Sequence, residues 1–174
     1  NRTADGRAGK VMRAAVLALQ GAFAEHERIL GDMGVECMEI RQERDAYRDF
    51  DALILPGGES TAMGKLLRDY HLLDLLKERI ENGLPVLGTC AGLILLAKQL
   101  DGGGIPHLGT MPVTVKRNAY GRQLGSFSTE ADMEGAGRIK MIFIRAPYIV
   151  EAGEGVEVLA RVDGRIVAAR YGKQ

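Results

Sequence analysis

The sequence has few cysteines and histidines and no excess of charge of either sign. Two cysteines in 174 residues are too few for a disulfide framework, and a lone reactive thiol suits a reducing, cytoplasmic compartment. Lysine plus arginine and aspartate plus glutamate both number 23, which argues against a nucleic-acid partner. The apolar runs are short of a membrane span, and no secretory hydrophobic segment opens the chain, so we expect no membrane association.

The length and the apolar content predict one domain with a full core. Hydrophobic residues make up 46% of the chain, and 174 residues fall within the usual range of a single domain. Residues 1–11 are mostly polar, and we interpret them as an added leader or a disordered terminus. The fold is therefore expected in residues 12–174.

In the first half, strand and helix patterns alternate. Continuous apolar runs predict buried strands, and spaced apolar residues predict helices. This alternation favours an α/β fold, with a mostly parallel central sheet between two helical layers, as in flavodoxin. Strands are predicted at residues 14–19, 35–40, 51–56 and 84–87, with a solvated connection at 41–50. Helices are predicted over 23–33, from near 62 to 81 with a break near Asp69-Tyr70, and over 91–99. Ser60 or Thr61 would cap the second of these helical stretches.

The second half is β-rich. A loop at residues 101–104 is followed by short runs of strand-forming residues, and Asp163-Gly164 is a strong signal for a tight hairpin. The predicted strands are 111–116, 126–129, 140–144, 156–162 and 165–171.

Cys90 lies between a predicted strand and a predicted helix, within residues 88–92 (GTCAG). This is the cysteine counterpart of the Gly-x-Ser-x-Gly elbow, in which glycines allow a strained turn and a close approach of substrate. The start of the helix would favour the thiolate through its free N–H groups and its dipole. The alternative is a small buried cysteine packed under a helix, without chemistry.

A second glycine-rich turn, Gly57-Gly58, follows another predicted strand. Functional residues of parallel sheets gather beyond the carboxyl ends of strands, so this turn and Cys90 can meet. The backbone N–H of Ala91 would be one donor to an oxyanion, and a glycine N–H of the turn a second. Taken alone, the turn is better interpreted as an ordinary strand-to-helix connection. Of the three histidines, His26 is interpreted as a packed or hydrogen-bonded residue without chemistry, and neither His71 nor His107 is followed by an acidic residue that could orient it as a base.

Several blocks of sequence, taken together and in this order, closely resemble the glutaminase subunit family of pyridoxal 5′-phosphate synthase. This family consists of triad-type, class I glutamine amidotransferases, and the resemblance runs from about Met12 to the end of the chain. The blocks are residues 18–22 (ALQGA) with Glu25-His26, 55–61 (LPGGEST), 88–92 (GTCAG), 117–123 (RNAYGRQ) with Ser126-Phe127, and 143–147 (FIRAP).

The resemblance implies a glutaminase that uses a cysteine nucleophile and needs neither a cofactor nor a metal ion. Cys90 would attack the side-chain amide of L-glutamine, release ammonia and form a glutamyl thioester that water hydrolyses. The ammonia would pass to a separate, barrel-shaped synthase subunit in a hetero-oligomer.

The resemblance also implies a set of site residues. Gly58 would supply the second oxyanion N–H beside that of Ala91. Arginine can bind a carboxylate in a forked pair, and a glutamate can receive an ammonium group. Without these blocks of sequence, Arg117 and Arg145 would each be interpreted as a solvated or ion-paired surface residue. The implied glutamine contacts are Gly58, Glu59, Ser60, Arg117, Ile144 and Arg145, and the implied partner contacts are Gln20, Gly21 and Ala22.

The family pattern continues with a His-Pro-Glu motif that supplies the histidine and glutamate of the triad. No His-Pro-Glu occurs in this sequence, which ends at Gln174. We expect residues 12–174 to lack the C-terminal strand, this motif and the closing helix of the domain. The missing part is expected to follow Gln174, the alternative being a truncated and inactive form.

Two other functions stay open at this point. The elbow and the glycine-rich turn would also suit a glutaminase that serves a different synthase. A flavodoxin-like regulatory module with a reactive cysteine, but without enzymatic activity, is the non-enzymatic alternative.

Overall fold

The computed structural model describes residues 11–21, 23–117, 127–133, 137–143 and 147–174. The first half alternates strands and helices as predicted. Its elements are β1 (Arg13–Leu17), α1 (Phe23–Asp32), β2 (Glu36–Ile40), a 3₁₀ helix (Glu43–Tyr47), β3 (Ala52–Leu55), α2 (Ser60–Asp69), α3 (Leu73–Glu81), β4 (Val86–Gly88) and α4 (Ala91–Leu96). The second half consists of β5 (Ala97–Asp101), β6 (Met111–Lys116), β7 (Phe127–Met133), β8 (Gly137–Phe143), β9 (Tyr148–Ala152), β10 (Glu157–Val162) and β11 (Arg165–Arg170).

The central sheet contains β2, β1, β3 and β4, in that order, with every pair parallel. Its two faces are covered by different helices. Ala14 and Val16 belong to a small cluster that includes Phe23 and Leu30 of α1. Alternate residues of β1, such as Leu17, join the main core with residues of α2, α3 and α4. The predicted α/β architecture of three layers is therefore confirmed.

The second sheet contains β10, β11, β9, β6 and β5 in that order, and β7 pairs with β8. Apolar residues of this sheet, such as Val113 and Ile149, belong to the same main core as the central sheet. The β-rich second half is thus packed against the parallel sheet. The strand β9 lies between β11 and β6 and was not predicted, although four residues of its five-residue sequence (YIVEA) are apolar.

The hairpin prediction at Asp163-Gly164 is confirmed. Asp163 has φ 50° and Gly164 has φ 77°, and positive φ at both central residues is the signature of a type I′ turn. This turn joins the antiparallel strands β10 and β11.

Two segments were predicted with the wrong secondary structure. The helix predicted over residues 91–99 ends at Leu96, and the backbone turns extended at Ala97 (φ −62°, ψ 135°). Ala97 then begins β5, which pairs in parallel with β6; a short apolar run does not distinguish a buried helix from a buried strand. The connection at 41–50 is not simply solvated either. It contains the 3₁₀ helix and buries Ala46 and Phe50, with the Arg79 guanidinium 3.8 Å from the centre of the Phe50 ring.

None of the helices within the described ranges is long and apolar enough to cross a membrane.

Candidate functional site

Cys90 occupies the sharp turn between β4 and α4. Its backbone has φ 52° and ψ −111°, a conformation that residues with a side chain rarely adopt. Such strain persists only where the surrounding structure enforces it, and it is concentrated at functional sites. The strained elbow predicted from the sequence is therefore present.

Gly92 explains how the elbow fits against the neighbouring strand. A β-carbon at this position would lie 2.1 Å from the carbonyl oxygen of Leu55 at the end of β3. Only glycine permits this approach of α4 to β3. The same end of β3 accepts a hydrogen bond of 3.1 Å from the backbone N–H of Thr89, which fixes the residue before the cysteine.

The Gly57-Gly58 turn lies beside the cysteine, as predicted. Because β3 and β4 are parallel neighbours with Leu55 opposite Gly88, the turns that follow them meet at one edge of the sheet. A β-carbon at Gly57 would lie 3.6 Å from Cβ and 4.0 Å from Sγ of Cys90. Cys90 itself is exposed, so its sulfur is neither sealed in the core nor remote from the double-glycine turn.

The pKa of the Cys90 thiol is shifted in the direction opposite to the one expected from the sequence. Although the residue is exposed as a whole, partial burial of the thiol raises its pKa above the ordinary value. The thiol form is therefore favoured at neutral pH, because burial disfavours the charged thiolate. This direction is opposite to the effect expected of the start of the helix, which has only six residues.

Gln20 and Gly21 lie against the double-glycine turn. The side-chain oxygen of Gln20 accepts a hydrogen bond of 2.9 Å from the backbone N–H of Glu59. A β-carbon at Gly21, which has φ 97°, would lie 1.9 Å from the carbonyl oxygen of Gly57. This contact was missed from the sequence, although β1 and β3 are parallel neighbours whose carboxyl ends share one edge. Ala22 lies outside the described residues.

Glu59 caps helix α2, which corrects the predicted cap at Ser60 or Thr61. Its two carboxylate oxygens accept hydrogen bonds from the backbone N–H groups of Ala62 (2.7 Å) and Thr61 (3.1 Å). These bonds, that of Ala62 first, hold the pKa of Glu59 below its ordinary value, with a further contribution from the positive charge of Arg117. Ser60 is buried in the first turn of the helix, where its side chain cannot serve as the cap.

Arg117 reaches the same end of α2 from the end of β6. Its Nη1 donates a hydrogen bond of 3.2 Å to the hydroxyl of Thr61. Arg117 and Glu59 are therefore close enough for their charges to interact, as the predicted pair of glutamine contacts requires. The other two predicted contacts, Ile144 and Arg145, lie outside the described residues.

The histidines occupy three different environments. Nε2 of His26 lies 3.2 Å from the hydroxyl of Thr89, a hydrogen bond beside the cysteine that sequence reasoning did not find. Nδ1 of His107 lies 2.9 Å from Nη1 of Arg68. Burial, together with the charges of Arg68 and Arg117, lowers the pKa of His107. His71 lies in the turn after α2 with φ 57°.

Among the residues that the structure describes, no group of three His, Cys, Asp or Glu side chains is placed to hold a metal ion.

Comparisons with known proteins identify the family of this chain. Residues 16–174 match the model of the SNO glutamine amidotransferase family. A relative named pyridoxal 5′-phosphate synthase subunit PdxT, from Desulfitobacterium hafniense strain Y51, is 59% identical over 163 residues, covering 94% of this chain and 82% of the relative. The protein of that name from Streptococcus pneumoniae strain ATCC 700669 is 58% identical over 162 residues, covering 91% and 84% of the two chains.

Solved structures agree with the family match. A crystal structure of a glutamine amidotransferase superposes with a TM-score of 0.86 at 46% identity, covering 92% of this chain and 85% of that one. The structure of PurLQS from Thermotoga maritima superposes with a TM-score of 0.72 at 17% identity, covering 94% of this chain and 84% of that one, and shows the shared fold alone. With the family model matched over most of its length, the chain belongs to the SNO glutamine amidotransferase family.

Proposed function

We propose that this chain is the glutaminase subunit of a pyridoxal 5′-phosphate synthase, and that it hydrolyses L-glutamine to L-glutamate and ammonia through Cys90. The observation that carries the chemistry is the position of an exposed cysteine, at a strained elbow, beside the Gly57-Gly58 turn. The high identity to proteins named as subunits of this synthase supports the biological setting.

The reaction begins with the loss of the Cys90 thiol proton to a base. The thiolate attacks the side-chain carbonyl carbon of glutamine, and the carbonyl oxygen becomes an oxyanion that accepts hydrogen bonds from the backbone N–H groups of Ala91 and Gly58. Collapse of this intermediate breaks the C–N bond, and the departing nitrogen takes a proton and leaves as ammonia. Water then hydrolyses the glutamyl thioester to glutamate and restores the thiol.

The base is not assigned to a described histidine. His107 is bonded to Arg68 and has a lowered pKa, while His26 is bonded to Thr89. The raised pKa of Cys90 makes a base necessary, because little thiolate forms without one at neutral pH.

The α-amino and α-carboxylate groups of glutamine are proposed to bind at the N-terminal end of α2. Glu59 would receive the ammonium group and Arg117 the carboxylate, beside Ser60, with Ile144 and Arg145 completing the site. The bonds from Thr61 and Ala62 keep the Glu59 carboxylate ionised and fixed in direction. They leave lone pairs on both oxygens for a ligand.

The proposed partner is the synthase subunit that receives the ammonia, and the two subunits would form a hetero-oligomer. Gln20, Gly21 and Ala22 are the proposed contact. Because Gln20 and Gly21 touch the double-glycine turn, a partner bound there would lie close to the proposed oxyanion site.

Ammonia release from glutamine tests this function, measured on the chain alone and with the synthase subunit. The parent is expected to release ammonia, and Cys90→Ala to release none, while Cys37→Ala, the matched control at the other cysteine, keeps the activity. Glutamine hydrolysis by Cys90→Ala would refute the nucleophile.

Labelling with a glutamine-like diazo ketone gives a second test that needs no turnover. Cys90 should be modified, and glutamine should protect it. A regulatory module with a reactive thiol would show labelling without protection, and a glutaminase of another pathway would fail to bind the pyridoxal 5′-phosphate synthase subunit.

A further inference from the structure

Thr89, the residue before the proposed nucleophile, is held at three atoms. Its N–H donates to the carbonyl oxygen of Leu55 at 3.1 Å, and its carbonyl oxygen accepts from the N–H of Gly92 at 2.9 Å. Its hydroxyl lies 3.2 Å from Nε2 of His26. Any residue except proline could make the two main-chain bonds, but the third is a bond between these two side chains.

The third bond connects the elbow to a different layer of the fold. His26 belongs to α1, a helix without a single buried residue, which packs on the sheet through the partly buried Phe23 and Leu30. The His26 ring is partly buried and reaches from this helix to the end of β4. The bond therefore ties the elbow to the α1 side of the sheet, opposite the main core.

A strained residue keeps its conformation only when its neighbours leave it no alternative. Cys90 needs φ 52° to keep its sulfur beside Gly57, and Thr89 is the residue that leads into this turn. We propose that His26 is a positioning residue, which holds Thr89 through its hydroxyl and so keeps the Cys90 sulfur aligned with the oxyanion site. The inference rests on the proposed function for its effect on catalysis, but not for its effect on the thiol.

Loss of the bond has two expected effects on Cys90. A displacement of about 1 Å from the reactive geometry can lower a rate by as much as about 100-fold, so kcat should fall while KM changes little. A released elbow should also expose the thiol, whose burial now raises its pKa, and exposure favours the reactive thiolate. Alkylation of Cys90 should accelerate while glutamine hydrolysis slows.

A double-mutant cycle on the full chain tests the bond. His26→Leu and Thr89→Val should each lower kcat by about ten-fold, and the double variant should be no slower than either single one, because both remove the same interaction. His26→Gln places an amide near the position of Nε2 and should recover activity to within about three-fold of the parent. His71→Asn, at a histidine that the structure leaves in an exposed turn, is the matched control and should be unchanged.

Alkylation by iodoacetamide, mapped to each cysteine by peptide mass, supplies the second readout. His26→Leu and Thr89→Val should raise the rate at Cys90 by about three-fold. Cys37 reports on the helix itself, because its sulfur lies 3.9 Å from the carbonyl oxygen of Glu27 in α1. An unchanged rate at Cys37 would show that α1 stays in place.

Three results would overturn the proposal. The first is an unchanged kcat and an unchanged Cys90 alkylation rate in His26→Leu. The second is a double variant whose loss of kcat equals the product of the losses in the two single variants. The third is a Cys37 alkylation rate that rises together with that of Cys90, which would indicate a loosened helix. If the parent chain hydrolyses no glutamine, the proposed function fails, and the alkylation cycle alone decides the role of His26.

Discussion

The side-chain oxygen of Gln20 accepts a hydrogen bond of 2.9 Å from the backbone N–H of Glu59. This bond joins the turn after β1 to the turn after β3, immediately beside the double glycine. It fixes the peptide bond between Gly58 and Glu59. The backbone N–H of Gly58 itself is one of the proposed oxyanion donors.

Gln20→Leu is expected to lower kcat/KM for glutamine by about five- to ten-fold, since a lost hydrogen bond costs about 1 kcal/mol and more where an N–H is left unpaired. The kinetics of ammonia release measure this effect. Gln99→Leu is the matched control, because Gln99 is exposed on β5 and accepts a bond only from the hydroxyl of Thr114 among the contacts described. Equal losses in both variants would contradict a specific role of Gln20.

Gly92→Ala is expected to destabilise the protein by about 3 kcal/mol, because its β-carbon would overlap the Leu55 carbonyl and force a shift of α4 or β3. Urea unfolding followed by circular dichroism measures the loss. Gly31→Ala is the control: it lies in α1 with nothing within 4 Å of its β-carbon, and alanine there should stabilise the protein by up to about 1 kcal/mol. A small or absent loss for Gly92→Ala would contradict the close approach.

Cys90→Gly is expected to be more stable than Cys90→Ala by about 1 kcal/mol, because glycine adopts φ 52° without the strain that any β-carbon suffers there. Both variants should be inactive in glutamine hydrolysis. Chemical denaturation of the two proteins under one set of conditions gives the difference. Equal stabilities would show that the elbow stores no strain.

Glu59→Gln is expected to lose stability at neutral pH by about 0.5 kcal/mol, the usual size of a favourable charge at an exposed helix start. The pKa of Glu59 is lowered by the bonds from Ala62 and Thr61, so the folded state binds a proton less readily than the unfolded state. The contribution is therefore present above the ordinary pKa of a glutamate and is lost as the pH falls through the lowered one. Unfolding measured from pH 7 to pH 3 should show the two proteins converging in acid, and a constant difference would contradict this origin.

The architecture and the meeting of the two glycine-rich turns could be predicted from the sequence because both follow from the alternation of strand and helix. Once β3 and β4 are parallel neighbours, residues after their carboxyl ends must approach each other. The predicted resemblance is likewise confirmed by the family match. The proposed roles of Cys90, Gly58 and Ala91 stay predictions until the activity is measured.

The errors came from interactions that are distant in the sequence. Leu96 and Ala97 belong to one apolar run, and only the pairing of β5 with β6 decides that the helix ends between them. Glu59 is a less common cap than serine or threonine, and it takes the position because the helix begins at Ser60, earlier than predicted. The bond between His26 and Thr89 joins residues 63 positions apart, and neither residue carries a local signal for it.

The contact between Gly21 and Gly57 has a consequence for protein engineering and for evolutionary drift. A β-carbon at position 21 would collide with the Gly57 carbonyl, so neither turn can be redesigned while the other is kept. Libraries that vary these two turns independently should yield few folded members, and homologous chains that change one should show compensating changes in the other.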